Sequence, residues 1–379
     1  MTEPVGSDET IGIVIVGCGI IGENHADAIA HFNGVAIAAL VDAVPASATA
    51  LADRVEASGR TRPQEFASLT DALALAAVDL VVICTPSGLH VALAEEALAA
   101  DKHVLIEKPL DVSLPRARRI AALADAAEKR GLVSSVVSQH RFDPATTVVR
   151  TALVGDEFGR VTSGIASVPW WREQSYYDQA SWRGTWELDG GGAAMNQGVH
   201  TIDLLLWFLG VPVDVSARSE ILAHDRIEVE DTIVATVRFA NGALGVIHAT
   251  TAAYPGLPAR VQVHGSRGSA IIDDDRLEYF ATAATGGDNR AAELVPPEQL
   301  RGGPRVAESF VLGHVRQYED VLQAIREKRA PIVRVADAML ALAVVRAMYL
   351  SSTLERTVTL DEVLSGGLDD VEIRTGGVS

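Results

Sequence analysis

The stretch that decides the fold is IGIVIVGCGIIG, which occupies residues 11–22. It opens with an apolar run rich in Ile and Val, which is typical of a strand buried on both faces of a parallel sheet. The fingerprint G-x-G-x-x-G follows at once, with Gly17, Gly19 and Gly22 as its glycines. The first glycine permits a tight turn, the second admits a diphosphate, and the third lets helix and strand pack closely. The stretch therefore predicts a dinucleotide-binding turn.

A helix is expected to begin at Ile20 and Ile21, which complete the cofactor-binding turn and present unpaired N–H groups to the diphosphate. Asp42 follows Gly22 by twenty residues, at the end of the next apolar run. A carboxylate there accepts hydrogen bonds from the adenosine ribose and repels a 2′-phosphate. No Lys or Arg follows before Arg54, so the pattern favours NAD over NADP. The alternative is a Gly-rich turn in which Asp42 is merely a solvated strand end.

The region around the fingerprint alternates short apolar runs with amphipathic stretches. This alternation indicates βαβ units and an α/β fold with an open, doubly wound parallel sheet of the Rossmann type. We place this NAD-binding domain at residues 1–142. Its strands are predicted at Ile11–Val16, Val35–Val41, Leu80–Cys84, Val104–Ile106 and Leu132–Val137, and two of its helices at Leu89–Ala100 and Leu114–Arg130.

The pattern changes after residue 142, where strand-like runs follow one another without helices between them. Asn241-Gly242 lies between two such runs and indicates a hairpin with a type I′ turn. Residues 143–379 are therefore predicted to form an α+β domain for substrate binding and oligomerisation, with a large, mostly antiparallel open sheet. The predicted strands are Val161–Val168, Val213–Ile221, Thr232–Phe239, Leu244–Thr250 and Val261–Val263, the helices are Ala193–Leu209, Val311–Lys328 and Asp337–Thr353, and Ala281–Arg305 is a surface excursion.

Composition and charge exclude several classes of protein. With 32 Lys and Arg against 50 Asp and Glu, the net charge of −18 argues against nucleic acid and anionic membranes as partners. The longest nearly apolar run noted, Leu204–Val213, is too short to span a bilayer, and residues 1–10 do not resemble a signal peptide. Two cysteines, Cys18 and Cys84, give neither a disulfide framework nor a metal site. We expect a soluble, cytoplasmic protein without a metal.

Two segments in the middle of the chain carry groups suited to catalysis. Lys108, in Glu107-Lys108-Pro109, follows a predicted parallel strand at the sheet edge where ligands bind, although an ordinary surface Lys is the alternative. Three glycines at residues 190–192 precede a predicted helix on which Asn196, His200 and Asp203 share one face. A buried structural His paired with Asp203 is the alternative there. A metal site is disfavoured because Asn is a poor zinc ligand.

These motifs together resemble the Gfo/Idh/MocA oxidoreductase family over nearly the whole chain. The resemblance rests on Gly17–Gly22, Glu107-Lys108-Pro109 and the Gly190–His200 segment. Thr85-Pro86 with His90, and Gln139-His140-Arg141-Phe142, are also similar to stretches of that family. The resemblance implies a Rossmann domain followed by an α+β domain with a large open sheet. It also implies oxidation or reduction of sugars, cyclitols or their derivatives.

The resemblance further implies roles for single residues. Lys108 and His200 match the family's catalytic Lys and His. Asn196 stands where inositol dehydrogenases have Asp, which puts that activity in doubt but leaves a hydrogen bond to substrate, so we group Asn196 with the catalytic pair. The remaining expected cofactor contacts are Thr85, Pro86, His90, Glu107, Lys108 and Gln139, and Arg141 is an expected substrate contact.

Four of the five tryptophans fall within residues 170–186, which marks this stretch as a candidate sugar-binding wall. Aromatic rings stack on the apolar faces of pyranose rings, and Arg forks onto hydroxyls or a carboxylate. We therefore predict that Trp171, Tyr177 and Arg183 contact a sugar or polyol substrate, while at least two of the aromatic residues only pack the fold. The full cluster is Trp170, Trp171, Tyr176, Tyr177, Trp182 and Trp186, with Arg172 and Arg183.

These features together predict an NAD-dependent dehydrogenase that interconverts a secondary alcohol and a ketone. His200 suits the acid–base step, and Lys108 suits positioning and stabilisation of the reacting oxygen. Two alternatives remain: a non-catalytic NAD- and sugar-binding regulator, and a hydrolase or lyase that uses NAD for transient oxidation. Apolar residues on both faces of the second-domain strands predict a homo-oligomer, either a dimer or a tetramer.

Overall fold

The structure is a computed structural model of the 379-residue chain and describes residues 10–303 and 309–375. The chain divides into two compact units. Unit 1 comprises Met1–Leu110, Arg119–Val137 and Glu308–Val335, and unit 2 comprises Asp111–Arg118, Ser138–Ala307 and Ala336–Ser379. The chain therefore leaves unit 1 and later returns to it, where the sequence predicted one boundary after residue 142.

The secondary structure agrees closely with the apolar runs of the sequence. The strands are β1 Ile11–Val16, β2 Val35–Val41, β3 Gln64–Phe66, β4 Leu80–Ile83, β5 His103–Ile106, β6 Ser134–Val136, β7 Val161–Pro169, β8 Pro212–Glu220, β9 Thr232–Phe239, β10 Leu244–Thr250, β11 Arg260–Gly265, β12 Gly268–Asp273, β13 Arg276–Thr282 and β14 Val358–Thr359. The helices are α1 Ile20–Ile29, α2 Pro45–Ala57, α3 Leu69–Leu73, α4 His90–Ala99, α5 Leu114–Glu128, α6 Pro144–Val154, α7 Gln174–Asp178, a π-helix at Ala193–Gly198, α8 Val199–Leu209, α9 Ala291–Leu294, α10 Ser309–Glu327, α11 Val335–Leu354 and α12 Leu360–Leu364.

Unit 1 contains a parallel six-stranded sheet in the order β3-β2-β1-β4-β5-β6. Every residue of β1 and β4 is buried, because helices cover both faces of such a sheet. The order reverses between β2 and β4 around the central β1, which is the switch point at which doubly wound sheets bind ligands. The predicted Rossmann fold is confirmed. The short, polar β3 lacks the pattern of a buried strand and was not predicted.

Helix α10 explains why unit 1 includes a late segment of the chain. Its Tyr318, Val321 and Leu322 are buried in the same hydrophobic core as Ile13 and Ile29 of the first strand and helix. The amphipathic sequence of α10 predicts a helix but does not reveal which sheet that helix covers. The domain boundary is therefore a property of tertiary packing.

Unit 2 contains an eight-stranded sheet in the order β13-β12-β11-β7-β10-β9-β8-β14. All pairs are antiparallel except β7 with β10, so the predicted mostly antiparallel sheet is confirmed. The hairpin at Asn241-Gly242 joins β9 to β10, but its turn is not type I′. Of those two residues, Gly242 alone has a positive φ, of 87°, and the Asn241 side chain accepts a hydrogen bond from the N–H of Ala243 at 3.0 Å.

Helix α11 is the described helix that is long and apolar enough to cross a membrane by length and composition alone. It is about twice as long as the 204–213 run noted from the sequence. About two thirds of its most apolar window is buried (67 %), and its Ser351 and Ser352 accept hydrogen bonds from backbone N–H groups of β8. Its apolar surface therefore serves the core of the fold.

Candidate functional site

The glycine turn of unit 1 has the geometry that a diphosphate requires. A Cβ atom on Gly17, whose φ is 95°, would lie 2.7 Å from the carbonyl oxygen of Cys84, and a Cβ atom on Gly22 would lie 2.2 Å from the carbonyl oxygen of Gly17. Backbone packing therefore demands both glycines. A Cβ atom on Gly19 would meet nothing within 4 Å, and no side chain caps the N-terminus of α1. This open surface beside unpaired N–H groups fits the cofactor.

Backbone N–H groups orient both carboxylate oxygens of Asp42. Its Oδ2 atom accepts a hydrogen bond from the N–H of Cys18 at 2.8 Å, and its Oδ1 atom accepts one from the N–H of Val44 at 2.8 Å. Each carboxylate oxygen keeps a second lone pair for a ribose hydroxyl. Burial, assisted by the charge of Asp42, raises the pKa of the Cys18 thiol to about 12, so Cys18 is not a nucleophile.

The loop after β4 presents a further polar atom. The Oγ1 atom of Thr85 is buried and has no hydrogen-bond partner among the described residues, as expected for a group that hydrogen-bonds to a ligand. His90 is buried instead. Its ring nitrogens lie 2.8 Å from the carbonyl oxygen of Thr85 and 2.9 Å from that of Pro109. His90 thus joins the two loops, and its direct cofactor contact stays a prediction.

Glu107 is the centre of a buried polar cluster. Its Oε1 atom lies 3.0 Å from Nε2 of His25 and 3.6 Å from Nε2 of His314, while its Oε2 atom accepts the N–H of Lys108 at 3.0 Å. The hydroxyl of Tyr318 lies 2.8 Å from Nδ1 of His25. Burial opposes ionisation, but the bonds from the two histidines prevail and hold the pKa of Glu107 well below its usual range.

This cluster gives Glu107 a structural role. The carboxylate is buried among its partners and anchors the strand end, and its contact with the cofactor stays a prediction. The ligand atoms of His25, Glu107 and His314 lie within 4.8 Å of one another, a spacing that a metal ion would accept. The direct hydrogen bonds already satisfy the carboxylate without an ion. Lys108, by contrast, is half-buried, and its amine has no partner among the residues that the structure describes.

In unit 2, a second buried carboxylate fixes the three-glycine turn. Oε2 of Glu230 accepts the N–H of Gly192 at 2.9 Å, and Oε1 accepts the N–H of Ala194 at 2.9 Å and the hydroxyl of Tyr349 at 3.0 Å. A Cβ atom on Gly192 would lie 1.8 Å from the carbonyl oxygen of Glu230. Burial raises the pKa of Glu230 to about 7, although the bonds from the backbone act in the opposite direction.

The helix that follows this turn begins as a π-helix, at Ala193–Gly198, and becomes α-helical at Val199. The prediction that Asn196, His200 and Asp203 share one face assumed α-helical spacing throughout. That spacing does not hold in the wider π-helical turns. The Asn196 amide donates to Asp189, and its oxygen has no partner among the described residues. That oxygen is available to a substrate hydroxyl.

His200 lies beside a second histidine. The ring of His140 meets that of His200 edge to face, with centroids 5.2 Å apart, and Nδ1 of His140 lies 2.8 Å from Oδ2 of Asp143 and 3.4 Å from Oδ1 of Asp275. The two acids therefore orient His140 against His200. His140 belongs to the motif Gln139-His140-Arg141-Phe142, but the sequence indicated no role for it.

Arg141 and Asp203 form a buried ion pair that serves the fold. Nε and one terminal nitrogen of Arg141 donate to the two oxygens of Asp203 at 2.7 and 2.5 Å, and Ser138 donates to the same carboxylate at 2.6 Å. The Arg141 side chain is 3 % exposed, and its substrate contact stays a prediction. Asp203 gives its oxygens to these donors, which disfavours the alternative of an Asp203-paired structural His200.

The aromatic cluster divides into buried and accessible members. Tyr177 is buried, and its hydroxyl lies 2.9 Å from Oγ1 of Thr251. Burial raises the pKa of Tyr177 to about 12, and its substrate contact stays a prediction. Trp186 packs edge to face on buried Tyr349, as the prediction of partly structural aromatics requires. Trp171 packs edge to face on the exposed ring of Tyr254, and its substrate contact stays a prediction.

The structure adds functional groups that the sequence did not reveal. Glu230, His25 and His314 act through partners that are distant in the chain, and such pairings leave no local signal in the sequence. Asp189 instead binds Asn196, seven residues further on. Pro86, exposed beside Thr85, and Gln139, buried with an unpartnered Oε1 among the described residues, keep their predicted cofactor roles as proposals.

Comparison with known proteins agrees with the two predicted domain folds. Residues 11–136 match the family model described as oxidoreductase family, NAD-binding Rossmann fold, and residues 146–271 match the GFO/IDH/MocA C-terminal domain. Inositol 2-dehydrogenase of Rhizobium meliloti is 28 % identical over 93 % of this chain and 99 % of its own. Levoglucosan dehydrogenase of Pseudarthrobacter phenanthrenivorans is 26 % identical over 54 % of this chain and 58 % of its own.

A solved structure is similar over almost the whole length. The WlbA dehydrogenase of Bordetella pertussis, in complex with NADH and UDP-GlcNAcA, is 32 % identical to this chain, with a TM-score of 0.77. The match covers 94 % of this chain and 99 % of that protein. The glycine turn, the position of Asp42 and these relatives together identify unit 1 as an NAD-binding domain.

The glycine turn yields a paired prediction. Gly19→Ala should leave the melting temperature within about 2 °C of the wild type but weaken NAD binding about tenfold or more, because the added methyl fills only the diphosphate space. Gly22→Ala should lower the melting temperature by about 5 °C or more, because its methyl meets backbone. NAD titration and thermal unfolding of both variants test this, and normal NAD affinity in Gly19→Ala would refute the diphosphate assignment.

Glu230 yields a pH-dependent prediction. Its pKa of about 7 in the fold lies above the ordinary value of 4.5, so the folded protein binds this proton more tightly than the unfolded chain. Stability should therefore fall as pH rises from about 4.5 to about 7, by an amount on the order of 3 kcal/mol. Glu230→Gln should remove that slope in thermal unfolding measured at several pH values. Exposed Glu220→Gln is the control, and an unchanged slope in Glu230→Gln would contradict the assignment.

Proposed function

The chain belongs to the Gfo/Idh/MocA oxidoreductase family and is an NAD-dependent dehydrogenase acting on CH–OH groups, and from that premise we propose its substrate and its catalytic residues. We propose that it interconverts a secondary alcohol and a ketone on a sugar, a sugar derivative or a cyclitol. The observation that carries the proposal is the state of Lys108. Its backbone is fixed by a buried carboxylate, whereas its amine has no partner among the described residues.

His200 is proposed to hold and release the proton of the reacting hydroxyl. The edge-to-face contact with His140, itself bound by Asp143, restrains the imidazole ring. A restrained imidazole loses less freedom when it meets the hydroxyl, which favours proton transfer. Bound NAD supplies the hydride acceptor.

Lys108 is proposed to stabilise the oxygen from which the proton departs. A preorganised ammonium group lowers the free energy of developing alkoxide charge, and the Glu107 bond to its backbone provides that preorganisation. Asn196 is proposed to accept a substrate hydroxyl through its unpartnered amide oxygen, while Asp189 fixes the amide nitrogen. An Asn at this position orients substrate without adding a negative charge beside His200.

The choice between NAD and NADP is proposed from the surroundings of Asp42. Both of its oxygens are oriented by backbone N–H groups, and a 2′-phosphate at that position would face a fixed negative charge. Val44, 57 % exposed, stands beside it where an NADP enzyme would need a cation. We therefore propose that NAD is preferred over NADP.

A second copy of this chain is the proposed partner of the outer sheet face in unit 2. In β9 and β10 the buried residues alternate with exposed ones, yet Val234, Leu244 and Val246 on the outer face are apolar and 43–60 % exposed. An apolar patch of neighbouring strands normally marks an interface. The sequence predicted a dimer or a tetramer, and we propose that this outer face forms its interface.

Catalysis is tested with NAD and a panel of pyranosides and inositols, by NADH absorbance. His200→Ala and Lys108→Ala should each lower kcat by about 10²–10⁴. The His200 variant should keep NAD affinity and lose the acid limb of the pH–rate profile. Asn196→Ala should mainly raise KM. Exposed His31→Ala and Lys129→Ala are matched controls.

Three outcomes would contradict this proposal. Near-full turnover of the His200 variant from pH 6 to 9 would place the base elsewhere. Binding of sugar and NAD without turnover would favour a regulator. Product formation without net NADH would favour transient oxidation by a hydrolase or lyase.

The oligomer is tested by light scattering at micromolar concentration. The wild type should have at least twice the 40.1 kDa of one chain. Replacing Val234 and Val246 together by Glu should give the monomer, because two charges would face the partner's apolar surface. Val154→Glu, at a residue that is 71 % exposed in α6, is the control and should not change the mass. A monomeric wild type would refute the interface.

A further inference from the structure

Two arginines of unit 2 share a single aromatic ring. The guanidinium carbon of Arg172 lies 5.3 Å from the centroid of Tyr176, and that of Arg183 lies 4.4 Å from the same centroid. Arg172 also lies over Trp170, and Arg183 over Trp182. Since both charges are close to one ring, they are within about 10 Å of each other, a distance over which physiological salt does not fully screen their repulsion.

Neither guanidinium has a carboxylate partner within the described part of the chain. This is unusual for a protein with 50 acidic residues, in which most arginines form ion pairs. Among the acids that form ion pairs, Asp178 is the nearest in sequence to these two arginines, and it binds Arg226 instead. Stacking on aromatic rings uses the face of a guanidinium and leaves the N–H groups at its edge available. One terminal nitrogen of Arg172 donates to the carbonyl oxygen of Trp171 at 3.4 Å. Two adjacent cations with further available donors attract anions even in an acidic protein.

This site adjoins the helix that carries the proposed substrate residues. The hydroxyl of Tyr176 accepts a hydrogen bond from Nε2 of Gln197 at 3.2 Å, and Gln197 follows Asn196 in the π-helix. The Oε1 atom of Gln197 and the Nε atom of Arg172 are buried and have no hydrogen-bond partner among the described residues. Buried polar atoms are almost always paired, so these two indicate a ligand with both acceptor and donor groups.

The backbone holds Arg172 in place. Its N–H donates to the carbonyl of Thr251 at 2.9 Å, and its own carbonyl oxygen lies 2.9 Å from Nε2 of His224. Asp231 in turn fixes the His224 ring, with Oδ2 at 3.0 Å from Nδ1. A positively charged side chain on a fixed backbone is suited to recognition, because little further ordering accompanies binding.

We propose that Arg172 and Arg183 bind an anionic group of the substrate, so that the preferred sugar is acidic. The chemistry shared by the candidates is a set of anionic oxygens that accept forked hydrogen bonds, as in the carboxylate of a uronic acid or the phosphate of a sugar phosphate. This inference rests on the proposed sugar dehydrogenase function and adds the charge of the substrate to it. The aromatic rings beneath the guanidinium groups supply the apolar contact for the sugar ring.

The test measures binding rather than turnover, with the full chain loaded with NADH. Tryptophan fluorescence is titrated with D-glucose, D-glucuronate, D-glucose 6-phosphate and UDP-glucuronate. The wild type should bind at least one anionic probe about tenfold or more tighter than glucose. Salt at 500 mM should weaken the binding of the anionic probes only. Preference for glucuronate identifies a carboxylate site, and preference for the phosphorylated probes alone identifies a phosphate site.

The variants separate charge from fold. Arg172→Gln with Arg183→Gln should abolish the anion preference, measured as the ratio of the Kd for glucose to the Kd for the anionic probe, and Arg183→Gln alone should reduce that ratio. The single variant keeps the test valid if the double variant does not fold, since no hydrogen bond of the Arg183 side chain is lost among the described residues. Arg226→Gln, in the exposed pair with Asp178, is the control and should keep the preference.

Equal affinity of the wild type for glucose and every anionic probe would overturn the inference, as would an unchanged preference in Arg183→Gln and the double variant. Failure here is distinguishable from failure of the proposed function. A protein that turns over neutral sugars through His200 and Lys108, with no anion preference, retains the dehydrogenase assignment and loses only this one.

Discussion

The buried carboxylate of Glu107 is the interaction on which unit 1 depends. One side chain binds His25 of α1, lies near His314 of α10, and accepts the N–H of Lys108 after β5. It therefore fixes the helix of the glycine turn relative to the strand end that carries the proposed catalytic Lys. Removing one partner from such a cluster would leave a buried charge unpaired, which is far more destabilising than losing a surface ion pair. Cofactor turn and Lys108 are thus parts of one rigid arrangement.

Unit 2 uses the same device for a different backbone. Glu230 receives two N–H groups of the three-glycine turn, and this fixes the start of the π-helix that carries Asn196 and leads to His200. In both units the proposed catalytic side chains themselves remain accessible. The acid that fixes the nearby backbone, Glu107 in unit 1 and Glu230 in unit 2, is buried. Rigid support with an available functional group is what preorganised catalysis requires.

The sequence predicted the features that depend on local pattern. Apolar runs and the glycine fingerprint predicted both sheets and the dinucleotide turn, because burial on two faces and tight turns leave a mark on consecutive residues. The ion pair of Arg141 with Asp203 was not foreseen, because the two residues are 62 positions apart and a pairing over that distance leaves no periodic signal. The same holds for Tyr177 with Thr251, for Glu107 with His314, and for the shared core of α10 and α1.

The return of the chain to unit 1 has a consequence for biosynthesis. The core around Ile13 and Ile29 includes Tyr318 and Leu322, and Glu107 lacks His314 until α10 has been made. Unit 2 likewise needs α11, whose Tyr349 binds Glu230. A chain on the ribosome therefore carries an incomplete nucleotide-binding core until α10 has been made, unlike proteins whose N-terminal domain folds first. Both cores close only after α10 and α11 have been made, which couples the folding of the two units in time.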